Sequence, residues 1–277
     1  MTAVVQPSNA LDAPRPTPTG YSALGTAELD AFLALLAKLE PADWHQPSPC
    51  SLWDVHDVVA HQAGHIQSGT GFAGLFAQVN PIATAPYLRR RMSSLDAMNQ
   101  KQVDIRRDRP TASLIAELRE GTPRSIAARE RLNCVSARVP LPVPPVGLRP
   151  LKTLLLRIFP RDMWIHRLDI ADATGKPFET GNAHTPTMVA LAVQDAARFA
   201  RKKDRALNLG LHLQGPAGGN WDIARGSGPR VELELTLEDF LRRTSGRITP
   251  ETAATRASSN ASAAQTLRAL ELLQAPY

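Results

Sequence analysis

One short stretch brings groups with metal-binding chemistry to helical spacing. In Arg161-Asp162-Met163-Trp164-Ile165-His166-Arg167-Leu168-Asp169, an acid and a histidine stand four residues apart and a second acid follows three residues later. At about 100° per residue, Asp162, His166 and Asp169 share the stripe marked out by Leu151, Leu154, Leu155, Ile158 and Ile165. A carboxylate turned toward a helical core loses its hydration, which costs several kcal/mol unless a partner replaces the lost water. A cation is such a partner. Asp162 and His166 can reach one ion, with Asp169 orienting the imidazole from behind. The third ligand must come from elsewhere, and residues 51–66 offer His56, His61 and His65. His61 and His65 are again four apart, but a helical wheel sets His61 beside Val58 and His65, off the apolar stripe of its own helix, which counts against it. Cys50 falls next to the start of that helix, where a structural role is the expectation rather than a nucleophilic one.

The elements that position these groups follow from periodicity. Leu29, Phe32, Leu33, Leu36 and Leu39 recur at three- and four-residue steps, so a helix begins near Thr26, which can cap it. Ser51 with Asp54 resembles a capping box ahead of Leu52, Val55, Val59, Ala63 and Ile66. Helices are expected over residues 87–103 and 111–132, the second interrupted near Gly121 and Pro123. Pro140, Pro142, Pro144, Pro145 and Pro150 make residues 135–150 a stiff connection. The helix that follows ends at Gly175 and should kink or restart at Pro160. Thr185 with Pro186 reads as another helix start. Beyond residue 203 the period becomes two: Leu207, Leu209, Leu211 and Leu213 alternate, as do Val231, Leu233, Leu235 and Leu237. With a short strand at residues 221–225 and turns at residues 215–220 and 226–229, a small antiparallel meander is expected. Helices from Leu237 and over residues 263–273 complete the chain. The expected fold class is α+β, mostly α: a disordered tail at residues 1–20, a helical bundle over 21–175 and a small α+β domain with an antiparallel sheet over 185–277.

Composition narrows the function. The 277 residues are 43% hydrophobic and 21% charged, without an apolar run long enough to span a bilayer, so no membrane partner is expected. The net charge of +6 lies in short arginine clusters, and aromatic residues make up only 5%. Solvated helix faces account for such clusters, and no nucleic-acid partner is expected. Two cysteines, Cys50 and Cys134, do not make a disulfide framework, which favours a reducing, cytoplasmic setting.

Residues 44–61, from Trp44 through Pro47, Cys50 and Trp53 to Asp57-Val58-Val59-Ala60-His61, resemble the opening signature of the mycothiol-dependent maleylpyruvate isomerase family, and residues 161–169 resemble its second. The resemblance implies a DinB-like four-helix bundle whose metal is bound by a histidine of the first signature and an acid and a histidine of the second. Carried over by position, the metal ligands are His61, Asp162 and His166. The acid is often glutamate in the family, so the shorter Asp162 shifts the expected position of the ion. The remainder resembles the family's sterol-carrier-like C-terminal domain, where an arginine is implied to meet a substrate carboxylate; Arg247, after Ser245-Gly246, is preferred over Arg242 and Arg243. The implied cofactors are a divalent metal, zinc before nickel, iron or manganese, and mycothiol. The implied activity is isomerisation or S-transfer on a small electrophile. The rival is a metal-stabilised small-ligand- or lipid-binding protein without turnover.

Overall fold

Thr17, not Thr26, opens the first helix: its hydroxyl accepts from the Gly20 N–H and Pro18 stands in the first turn, so α1 runs Pro18–Leu36. The computed structural model describes residues 7–70, 72–131, 140–143 and 147–275. The chain divides into two units, Thr17–Phe178 and Met1–Pro16 with Glu179–Tyr277. Cys134, Pro144, Pro145 and the expected helix end at residue 132 lie outside the described residues, as do the side chains of Leu151, Leu154 and Leu155.

In the helical unit, α2 (Val55–Ser68) is capped by Asp54, whose carboxylate accepts from the Asp57 N–H, rather than by Ser51. Next come α3 (Phe72–Val79), α4 (Pro81–Arg89) and α5 (Ser94–Asp104). The single helix expected over residues 87–103 is therefore two. Arg91 adopts a left-handed φ of 64° between them, and the Ser93 hydroxyl caps the second. Helix α6 (Thr111–Glu130) runs unbroken through Gly121 and Pro123, and strands β2 (Pro140–Val143) and β3 (Gly147–Pro150) form an antiparallel hairpin in the expected connection. Helix α7 (Leu151–Thr174) continues through Pro160 without the expected restart. Its neighbours Phe159, Met163 and Trp164 are buried, and their packing outweighs the hydrogen bond that proline forfeits.

Helices α1, α2, α6 and α7 pack around one core built from Phe32, Val55, Val59, Ile66, Leu118 and Met163, among others. A fully buried ion pair, Arg167 Nε to Glu28 Oε1 at 2.6 Å, ties α7 to α1. Gly121 is a point of contact rather than a break: a Cβ there would lie 2.7 Å from Ile66 Cγ2, a stiff β-branched methyl. Gly121→Ala is therefore expected to lose about 1–2 kcal/mol of unfolding free energy in urea, although alanine is the better helix former, because overpacking outweighs the propensity gain.

In the other unit, α8 (Thr185–Lys203) packs on a sheet of β4 (Asn208–Gln214), β5 (Gly219–Arg225) and β6 (Arg230–Thr236). Two short edge strands, β1 (Ser8–Asn9) and β7 (Ser258–Ser259), extend the sheet to the order β1-β5-β4-β6-β7. The sheet is mixed, not the antiparallel meander expected: β4 is antiparallel to β5 but parallel to β6, and β1 is parallel to β5. The Gly226–Pro229 segment that resembled a hairpin turn is a crossing. The Gly226 and Gly228 N–H groups bond to the Leu207 and Ala206 carbonyls, and a Cβ at either glycine would lie within 2.7 Å of the Ala206 backbone. Only glycine lets the chain pass the head of β4 that closely, to pair on its far side. Residues 8–13, assigned to a disordered tail on composition, are held here: Arg201 bonds the Asn9 side chain and Gln194 the Leu11 and Ala13 carbonyls. Helices α9 (Leu237–Thr244), α10 (Pro250–Ala254) and α11 (Ala263–Leu272) follow. No helix among the described residues is long and apolar enough to cross a membrane.

Candidate metal centre

Helix α7 presents Asp162, His166 and Asp169 on one face, as their spacing predicts, and α2 presents His61 opposite them. His61 is 2% exposed. The wheel argument against it fails because α2 is packed by α5, α6 and α7 together, and the face that carries His61 and His65 meets Asp162 of α7 and Gln102 of α5. Val58, Val59, Ala60, His61, Gln62, Ala63 and Gly64 are consequently all buried.

The three groups implied as ligands converge. His61 Nε2 lies 3.4 Å from Asp162 Oδ2, and His166 Nε2 lies 3.7 Å from Asp162 Oδ1. The rings of His61 and His166 stand nearly edge-on, with centroids 4.9 Å apart. The far nitrogen of each imidazole is anchored: His166 Nδ1 to Asp169 Oδ2 at 2.8 Å, and His61 Nδ1 to Gln102 Oε1 at 2.7 Å. His61 Nε2, by contrast, is buried with no hydrogen-bond partner. Asp162 Oδ2 accepts from Gln62 Nε2 at 2.7 Å and pairs with His65 Nδ1 at 2.9 Å. Trp53 lies against both histidine rings at 5.0 and 6.2 Å, its indole N–H donating to Gln100 Oε1.

The charge state follows from these contacts. Burial pushes the His61 imidazolium down to about 4 against the pull of Asp162, leaving the ring neutral at neutral pH. Burial works the same way on His166, but the Asp162 charge and the bond to Asp169 outweigh it and push its pKa up to about 10. Burial would raise Asp162; His166, His65 and His61 instead hold it well below the usual carboxylate range. A proton on His166 thus supplies the positive charge that Asp162 needs, at the place where a divalent cation would supply it. Two imidazole nitrogens and a carboxylate oxygen suit zinc and several other first-row metals, and three protein ligands leave a coordination position open.

His65 enters the site more directly than its spacing indicated: His61, His65 and Asp162 offer donor atoms within 4.8 Å of one another. Cys50 is also drawn in, its thiol donating to Asp169 Oδ2 at 3.4 Å. His56 is not; its Nε2 pairs with the Arg109 carbonyl. Arg247 belongs to the other unit, where its guanidinium donates to the Ser245 carbonyl at 3.0 Å. Sequence reasoning missed Gln62 and Gln102. Buried glutamines leave no periodic signal, and the one clue to Gln102 was a lone glycine, Gly64, inside a helix.

Two solved structures share the fold: the mycothiol-dependent maleylpyruvate isomerase and a histidine-to-alanine mutant of it. Their TM-scores are 0.52 and 0.54, each at 14% identity over 91% of this chain and 95% of theirs. No curated protein matches the chain. The family described as "Mycothiol maleylpyruvate isomerase N-terminal domain" matches residues 26–171, which include α2, most of α7, and with them His61, His65, Asp162 and His166. That match spans more than half of the sequence, and the chain belongs to this family.

Proposed function

We propose that the chain is a metal-dependent enzyme that uses mycothiol, a low-molecular-weight thiol, on a small electrophile with an activated double bond, by isomerisation or S-transfer. His61, Asp162 and His166 are its metal ligands, and zinc is the expected ion. The observation that carries this reading is the orphaned His61 Nε2, buried and aimed at the Asp162 carboxylate with His166 Nε2 on the other side. A divalent cation held there would favour the thiolate form of a bound thiol at neutral pH. The chain's own groups do the rest: Gln102 and Asp169 fix the two rings, Asp162 brings the negative charge, and Trp53 shields the pair from water.

His65 supports a second reading. If its nitrogen, 2.9 Å from Asp162 Oδ2, joins the other three ligands, four protein donors would close the site, as in structural centres. The protein would then be a metal-stabilised binder without turnover. The test is metal analysis of the purified protein, followed by thiol-dependent turnover of a panel of electrophiles. One divalent ion per chain with turnover supports the first reading; a bound ion with no turnover for any thiol or electrophile supports the second; no bound ion refutes both. His65→Ala should keep its metal under the first and lose it under the second. The role implied for Arg247 is tested separately: Arg247→Ala is expected to raise KM for a carboxylate-bearing substrate, with metal content unchanged, because it removes a charge-assisted contact to substrate.

A further inference from the structure

We infer that Gln102 is a positioning residue of this centre: it holds His61 in the tautomer whose Nε2 lone pair is free for the ion. The inference rests on the metal reading above but concerns a residue on α5, outside the two helices that carry the ligands.

Gln102 is 4% exposed, and its Oε1 lies 2.7 Å from His61 Nδ1. A side-chain carbonyl oxygen only accepts, so the proton of a neutral His61 sits on Nδ1 and Nε2 is left bare. That matches the one unpartnered nitrogen of the pair, which is the nitrogen facing Asp162. The approach of Gln102 is built into α2. A Cβ on Gly64 would stand 2.6 Å from Gln102 Cβ and 2.8 Å from its Cγ, so the glutamine reaches His61 only because residue 64 has no side chain. Arg106 fastens the same turn of α5, donating to the Gln102 carbonyl and pairing with Glu117 and Gln67.

The two ligand histidines are therefore backed differently. A carboxylate, Asp169, stands behind His166, and a neutral amide stands behind His61. A carboxylate behind a ligand histidine makes the ring a stronger donor, while an amide fixes its orientation and tautomer without adding charge to the site. Gln102 thus keeps the centre one negative charge lower than two carboxylate-backed histidines would make it.

The test compares Gln102→Leu, which removes the acceptor at similar volume, with Gln102→Glu, which keeps it. Zinc affinity is measured by chelator competition, and nitrogen-15 NMR of the metal-free wild type reads the tautomer of His61. The expected results are a 10–100-fold loss of zinc affinity in Gln102→Leu, affinity at or above wild type in Gln102→Glu, and a protonated Nδ1 with a bare Nε2. Wild-type affinity in Gln102→Leu, or an equal loss in both variants, overturns the inference and leaves the metal reading intact. Failure of the wild type to bind zinc overturns the metal reading itself. Should Gln102→Leu not fold, the wild-type NMR decides: a proton on Nε2 overturns the inference.

Discussion

Replacing Asp162 with alanine is expected to weaken zinc binding by roughly two to three orders of magnitude and to end any thiol-dependent turnover. Among the described residues, Asp162 is the carboxylate within 4 Å of both facing nitrogens, His61 Nε2 and His166 Nε2. It brings a formal negative charge to a setting where only 13% of its side chain meets water. Stripping one partner from a buried charge pair costs about 3–5 kcal/mol, and each 1.4 kcal/mol is about tenfold in an equilibrium constant. The variant has a second signature. With Asp162 gone, the main force raising the His166 pKa disappears, so that imidazole should titrate well below its wild-type value of about 10. Asp162→Asn separates charge from shape: it keeps the volume and should bind zinc nearly as poorly as the alanine variant. Chelator competition gives the affinities, with circular dichroism to show that α7 is intact. Zinc affinity within tenfold of wild type in Asp162→Ala would remove Asp162 from the ligand set.

The half of the site on α7 was legible because one helix carries all of it: Asp162, His166 and Asp169 recur with the period of the apolar positions, and the backbone alone brings them together. The half on α2 was ambiguous for a physical reason. A wheel assumes one buried face, whereas α2 is packed by α5, α6 and α7 together, so the polar face that argued against His61 is itself interior, against α5 and α7. Gln102 was invisible, since a polar residue on a weakly apolar helix gives no sign of burial until the partner helix is known. The fold shows the same division. The Leu207–Leu213 and Val231–Leu237 alternations located β4 and β6, because period two is a property of a single strand. Their parallel pairing depended on Gly226 and Gly228 passing the Ala206 backbone, a contact between segments that local pattern does not encode. Pro123 was read as an interruption and Pro160 as a kink or restart because proline costs a helix about 3 kcal/mol, yet both lie inside helices that continue past them.

Zinc binding to the metal-free protein should release about one proton per ion across the neutral range, and the apparent affinity should climb about tenfold per pH unit until it levels near pH 10. The proton comes from His166, which is protonated below about 10 and must be neutral to donate its Nε2 lone pair. His61 contributes none above about 4, since burial already keeps it neutral. Stability of the metal-free protein should bend the opposite way. The folded pKa of His166 is raised from 6.5, so its contribution is complete below about 6.5 and is lost as pH rises toward 10. The folded pKa of His61 is depressed from 6.5, so acidification from 6.5 toward 4 favours the unfolded chain, which takes up the proton the buried ring refuses. These two histidines alone place the stability maximum of the metal-free protein near pH 6.5. With zinc bound, the alkaline slope should flatten, because the gain in zinc affinity with rising pH offsets what His166 loses. Titration calorimetry in two buffers of different ionisation enthalpy counts the protons, and urea midpoints from pH 5 to 9, with and without zinc, give the slopes. Binding at pH 8 with no proton released would mean that His166 already donates a free lone pair there, and that the positive charge beside Asp162 comes from another group.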